Sequence, residues 1–307
     1  MRERKSDSMI RRFCVCGRHA SGITHHAFRF TFYALQLLAA ASLQPIRVHA
    51  VEPQRIISLA PSVTETLFAL GAGDAVVGVS TYCDYPPEVA KIQRVGSFLT
   101  PNVEEIVALR PDLIIGVPSP GNQDPVKTLQ SLGLKVVIVE GDTVRQMRES
   151  IDTIAQAIGR PAAGRHLIEQ IDARMDAIQE RLRDAPQRRV LMAVGQKPLV
   201  AVGSGMFQDE LIRMAHGINV AGGTGLAWPH LNIEVVIAWA PEVIIDATMG
   251  TEENAHALDF WRQFPSLPAV REQRLYGYRS YQLLRPGPRM PDALDTIART
   301  IHPERFQ

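Results

Sequence analysis

The chain has 307 residues and carries 33 Lys and Arg against 32 Asp and Glu, so its charge is almost balanced. That balance argues against a polyanion-seeking protein such as a nucleic-acid binder, and 46% hydrophobic with only 21% charged residues argues against a disordered chain. The length exceeds what one small core organises and suits two α/β units.

The first fifty residues differ from the rest. A basic start (Arg2, Arg4, Lys5, Arg11, Arg12) leads into an apolar stretch from Phe28 to Leu43 and the small-residue ending Val48-His49-Ala50. This pattern predicts a signal peptide over residues 1–50, cleaved after Ala50. At about 16 residues, and interrupted by Arg29, Thr31 and Gln36, the stretch is short for a spanning helix, which needs roughly 20. Met9 is an alternative start, and a retained amphipathic anchor is the alternative fate of the segment. Cys14 and Cys16 fall in the part removed, which leaves Cys83 and no internal disulfide. With no Cys beside the cleavage site to carry a lipid, the expected location is a Gram-negative-type periplasm.

After Pro53, short β-branched runs alternate with helical stretches, the mark of a parallel sheet covered by helices. Strands are predicted at Arg55 to Leu59, Val76 to Val79, Leu113 to Val117 and Lys135 to Val139. A helix starts at Pro61-Ser62, with Ser62 as N-cap and Glu65 as its capping-box partner, and ends at Gly71. Further helices are predicted at Asn102 to Leu109, Asp124 to Leu132 and Val144 to Ile158. From Pro161 to Ala185, apolar residues recur near helical spacing, and roughly 25 residues span about 37 Å, enough to bridge two lobes. The pattern restarts with the strand Arg189 to Val194, helices at Phe207 to His216 and Asn232 to Trp239, and the strand Val243 to Asp246. The predicted organisation is an N-terminal α/β lobe over 53–160, a linker helix over 161–186 and a C-terminal α/β lobe over 187–307.

An internal repeat supports the two-lobe reading. Residues 102–115 align without gaps on 232–245, with Asn, Glu, Ala, Pro and both final Ile residues coinciding. Each copy reads as a helix with an Asn N-cap, a Pro that stops it and a buried strand. Glu104 and Glu234 therefore hold equivalent places in the first helical turn. A carboxylate there is favourable against the helix dipole, but two equivalent acids on two equivalent lobes also suit two equivalent Arg sites on a two-fold symmetric partner.

No catalytic constellation is found. His166, His216, His230, His256 and His302 lack metal-ligand spacing, Gly203-Ser204-Gly205 lacks the nucleophile-elbow spacing, and Gly71-Ala-Gly73 opens no dinucleotide fingerprint. The expectation is a binding protein, not an enzyme.

The stretches Arg55-Ile-Ile-Ser-Leu-Ala-Pro-Ser-Val-Thr-Glu65, Thr81-Tyr-Cys-Asp-Tyr-Pro-Pro87, Asn102-Val-Glu104 and Trp228-Pro-His-Leu-Asn-Ile-Glu234 resemble the periplasmic cobalamin-binding proteins of ABC importers. These belong to the class III substrate-binding superfamily, shared with haem and siderophore binders. The resemblance implies two Rossmann-like lobes joined by one long helix, with cobalamin held in the cleft as transported ligand, no cofactor, and little hinge motion. It implies a monomer that docks onto a permease dimer with its ATPase subunits, through permease Arg residues meeting Glu104 and Glu234. It places Tyr82, Phe98 and Trp228 against the corrin ring, with Tyr281 and Arg285 facing them. Phe98 stands where the family often has Trp, and Tyr281 and Gln282 depart from its acidic and aromatic residues.

Aromatic faces suit this task because they give large contact area with few torsions to freeze. Trp228, beside Pro229 in a Gly-rich loop, is a poor core residue, whereas Trp239 and Trp261 read as structural. Other ligands remain open. Tyr82 is also the residue type that holds haem iron as a phenolate, and Arg279, Arg285 and Arg289 suit an anionic ferric siderophore. A bare metal ion finds only isolated ligands such as Asp84 and His230. Cys83 reads as a small buried hydrophobe in preference to a thiolate ligand.

Overall fold

Short β-branched runs buried on both faces make the first sheet. In the computed structural model, which describes residues 52–248, 257–278 and 281–306, β1 (Ile56–Ser58), β2 (Val76–Val79), β3 (Gln93–Arg94), β4 (Leu113–Gly116) and β5 (Val136–Ile138) pair in parallel, in the order β3-β2-β1-β4-β5. The predicted signal peptide and Arg279 lie outside the described residues. β1 and β4 are buried throughout, as central strands covered on both faces by helices must be. The helices of this half are α1 (Pro61–Ala69), α2 (Val103–Ala108), α3 (Gln123–Ser131) and α4 (Val144–Ala157).

The bridging helix is α5 (Pro161–Arg181), whose 21 residues span about 32 Å at 1.5 Å per residue. It ends four residues before the expected Ala185, because Leu182 already sits in the closing turn as a fully buried cap. Gly164 lets α5 lie close on α4, since a Cβ there would sit 2.4 Å from the Ala155 side chain.

The second sheet contains β6 (Arg188–Gln196), β7 (Leu199–Ala201), β8 (Gly217–Asn219), β9 (Val243–Asp246) and β10 (Leu275–Gly277), ordered β10-β9-β6-β7 with β8 also on β6. β6 is long enough to pair in parallel with β8 through Arg188–Val190 and antiparallel with β7 nearer its end. Its helices are α6 (Phe207–Met214), α7 (Ile233–Trp239), α8 (Ala257–Arg262), α9 (Pro268–Arg271) and α10 (Met290–Ile301). The sequence reading does not include α10, which packs on α5 and α6 by burying Ala293, Leu294, Ile297, Ala298 and Ile301.

The repeat is visible in three dimensions and reaches beyond the aligned stretch. Asn102 and Asn232 cap α2 and α7 with their side chains. Just before Pro111 and Pro241, Arg110 and Ala240 take left-handed backbones with φ of 46° and 45°. Arg55 Nε donates to the Leu109 carbonyl and Arg189 Nε to that of Trp239, each at 2.9 Å. Asp112 accepts from the Arg55 amide as Glu242 accepts from that of Arg189.

One local expectation fails. Pro61 takes the first helical position and Ala60 the cap, with no side-chain capping bond, so Ser62 and Glu65 form no capping box. Pro has no N–H to satisfy and its fixed φ suits that position. Glu65 is released to turn inward, where guanidinium groups offer stronger partners.

Candidate functional site

Two loops of the first half present aromatic rings. Tyr82, half exposed, follows β2, and Phe98 follows β3; their rings meet edge to face with centroids 5.6 Å apart. The Thr81 amide bonds to Gly96 O at 2.9 Å, which ties the two loops together. Gly96 has φ of +88°, and a Cβ there would meet Thr100 O at 2.6 Å, so the turn requires glycine. Ser97 Oγ accepts from the amides of Leu99 and Thr100, and Asn122 Nδ2 donates to Phe98 O at 3.0 Å. Phe98 is thus fixed by its backbone and leaves its ring half-buried.

Cys83, next to Tyr82, is fully buried. Thr64 Oγ1 donates to its Sγ at 3.1 Å, and burial pushes the thiol pKa up, so it stays a neutral packing group.

A charged clasp joins the two halves. Glu65 on α1 is buried and accepts from Arg289 Nε at 2.9 Å and Nη2 at 2.6 Å, a two-point pair, while Arg285 Nη1 stands 3.4 Å away. Arg285 also donates to both oxygens of Asp84 and, through Nη2, to Tyr82 O at 3.1 Å. The Arg285 hydrogen bond, with its charge, holds the Asp84 carboxyl below the usual carboxylate range, and the Glu65 hydrogen bond raises Arg289. Arg289 further stacks over the Tyr85 ring, 4.0 Å from its centroid. The Arg285 side chain is 10% exposed, and its bonds to Asp84 and Tyr82 O anchor the Tyr82 loop.

Trp228 sits in the loop that runs beside β7. Bonds Gly203 N to Ala227 O at 2.8 Å and Ala201 N to Pro229 O at 3.1 Å pin that loop on both sides of the ring. A Cβ at Gly203 would stand 1.9 Å from Leu226 O, so this approach also needs glycine. Trp228 is 41% exposed and lines a cavity of about 390 Å³. Phe207, Leu284 and Pro286 line it from the second half, and Gly141 and Asp142 from the loop after β5.

The structure therefore pairs Tyr82 with Phe98, bonds Arg285 to Tyr82, and places Trp228 in a cavity bordered by the two neighbours of Arg285. Tyr281 opens the helical turn Tyr281–Leu284, but its side chain lies outside what is described. Glu104 and Glu234 are exposed in the first turns of α2 and α7. Sequence reasoning missed Glu65 and Arg289 as partners, because 224 residues separate them and no spacing rule links such a pair. Among the described residues, no group of three or more His, Cys, Asp or Glu converges to hold a metal.

Two α/β halves joined by a long helix, with a cavity between loops of both, define a solute-binding protein in which recognition, not turnover, is the chemistry. The chain belongs to the periplasmic binding protein family, whose profile matches residues 56–282. The vitamin B12-binding protein of Vibrio cholerae is 29% identical over 246 residues, covering 80% of this chain and 87% of that protein. The crystal structure of the periplasmic vitamin B12-binding protein BtuF of Vibrio cholerae superposes with a TM-score of 0.73 at 27% identity, covering 83% of this chain and 99% of that one. The periplasmic heme-binding protein RhuT from Roseiflexus sp. RS-1 in apo form gives a TM-score of 0.74 at 29% identity, over 83% and 99% of the two chains. The expected two-lobed α/β class and family are thus borne out.

Proposed function

We propose that this chain captures a corrinoid, cobalamin, in the periplasm and delivers it as a monomer to the permease of an ABC importer. The observation that carries the reading is the set of loop aromatic rings, exposed Tyr82 against half-buried Phe98 and exposed Trp228 over the cavity, in a chain whose relatives include vitamin B12-binding proteins. Exposed rings of this size leave water when a flat, largely apolar macrocycle lies on them. In this reading Tyr281 completes the rim, and Arg285 holds the Tyr82 loop while facing the ligand.

Glu104 and Glu234 are the docking acids. Support comes from their equivalent positions, their exposure, and the exposed apolar side chains one turn on, Val107 and Ile237, which are 41% and 37% exposed. A two-fold permease meets two such patches with two equal sites.

Haem is the second reading, favoured by the likeness to RhuT and by the exposed Tyr82 phenol. Direct titration of residues 51–307 with cyanocobalamin and with haemin separates the two. Corrinoid binding that weakens when Trp228 or Tyr82 is replaced by Ala is the expected result; haemin binding alone would transfer the chain to the second reading.

A further inference from the structure

We propose that Asn122 is a positioning residue for ligand binding, whose side-chain amide holds the backbone of Phe98 so that the ring is already in place at the cleft. The inference rests on the reading of Phe98 as a ligand contact. Asn122 directly precedes α3 and is 3% exposed. Its Nδ2 donates to Phe98 O at 3.0 Å and to Val117 O at 2.9 Å, while its Oδ1 accepts from the Ser119 amide at 3.1 Å. Two carbonyls on one side and one N–H on the other fix which way round the amide stands.

An Asn at this place has a commoner use. Asn102 and Asn232, which precede α2 and α7, turn their side chains onto the first amides of their helices. Asn122 holds the same place before α3 and makes no side-chain capping bond. The helix forgoes the stabilisation a cap supplies, and both N–H bonds of the amide go to loop carbonyls instead. Those carbonyls belong to two separate loops: Phe98 follows β3 at one edge of the first sheet, and Val117 follows β4, with β2 and β1 lying between. Asn122 thus ties an edge loop to the end of a central, fully buried strand.

The tip that it holds is short. Within the turn, the Ser97 amide bonds to Thr100 O and Gly96 bridges to Pro101, and these contacts set its shape. The Asn122 amide and the Tyr82 ring reach the tip from outside it. Leu99 beside Phe98 is 43% exposed, and Gly121 passes so near that a Cβ there would stand 2.7 Å from Leu99 O. Without the Asn122 donor, Phe98 O loses its partner and the tip gains freedom that ligand binding must then freeze, at a cost in affinity.

The test is a double-mutant cycle in cyanocobalamin affinity, measured by titration of residues 51–307 as wild type, Asn122→Ala, Phe98→Ala and the double variant, with a thermal melt of each. Asn122→Ala is expected to weaken binding about fivefold and Phe98→Ala about tenfold, with the double variant within about twofold of Phe98→Ala alone, because Asn122 acts through that ring. Asn122→Ser keeps one hydroxyl donor and should lose less; its cycle takes the place of the first if Asn122→Ala does not fold. A merely structural Asn122 would lower Tm yet leave the affinity of the folded protein unchanged, or lower it by the same factor whether or not Phe98 is present, and either result overturns the assignment. So does a Phe98→Ala variant that binds as the wild type does. In each of these cases, cobalamin binding by the wild type leaves the corrinoid reading standing. If the wild type binds haemin and no cobalamin, the corrinoid reading falls and the same cycle run with haemin decides Asn122 by the same criterion; binding of neither removes both.

Discussion

Replacing Glu65 by Ala tests whether the charged clasp holds the two halves together. The substitution removes one buried carboxylate, leaves Arg289 without its two-point partner and takes from Arg285 the contact with Glu65. Breaking a buried ion pair from one side costs about 3–5 kcal/mol. The Arg289 side chain is 26% exposed and can turn toward water, so the low end applies, about 3 kcal/mol. For a domain of this size each kcal/mol moves Tm by about 2–4 °C, which puts the expected drop at about 6–12 °C. The assay is a far-UV circular dichroism melt of residues 51–307 at pH 7, with Glu65→Gln beside it, whose loss should be smaller because one acceptor oxygen survives. A Glu65→Ala melt within about 2 °C of wild type would refute the reasoning.

The Asp84 carboxyl, held below its usual value of 3.8 by Arg285, contributes stability that is present above that value and lost as pH falls through the lower folded one. Asp84→Asn should therefore flatten the acid end of the stability curve below about pH 4, measured by urea melts at stepped pH, and an unchanged acid slope would contradict the pairing. Replacing Glu104 and Glu234 together should abolish ligand uptake by cells while leaving the affinity of the purified protein within about twofold, and undiminished uptake would remove the docking role. Cys83, buried with a raised pKa, should resist a thiol reagent at pH 8 until the chain is unfolded, and rapid modification of the native protein would show that the thiol is accessible.

Much of the fold was legible because it rests on local rules. β-branched runs give the central strands β1 and β4, and the Asn caps and the Pro stops at 111 and 241 give α2, α7 and the repeat. The strands β3, β7, β8 and β10 carry no run of adjacent β-branched residues such as marks the equally short β1 and β5, and they form because longer neighbours offer an open edge. Tyr82, Phe98 and Trp228 came from the resemblance, and the geometry adds that a tight turn at Gly96 and a close backbone approach at Gly203 present the last two. Glu65 shows the limit: its position three residues after Ser62 reads as a capping box, yet its partner is set by tertiary packing of a loop more than two hundred residues away.

The central claim, that this cleft holds a corrinoid, is tested most directly by isothermal titration of residues 51–307 with cyanocobalamin, repeated with haemin while the absorption spectrum is recorded. The account predicts saturable one-to-one binding of cyanocobalamin and no comparable binding of haemin. Haemin binding with a shifted Soret band and no heat from cyanocobalamin would contradict it.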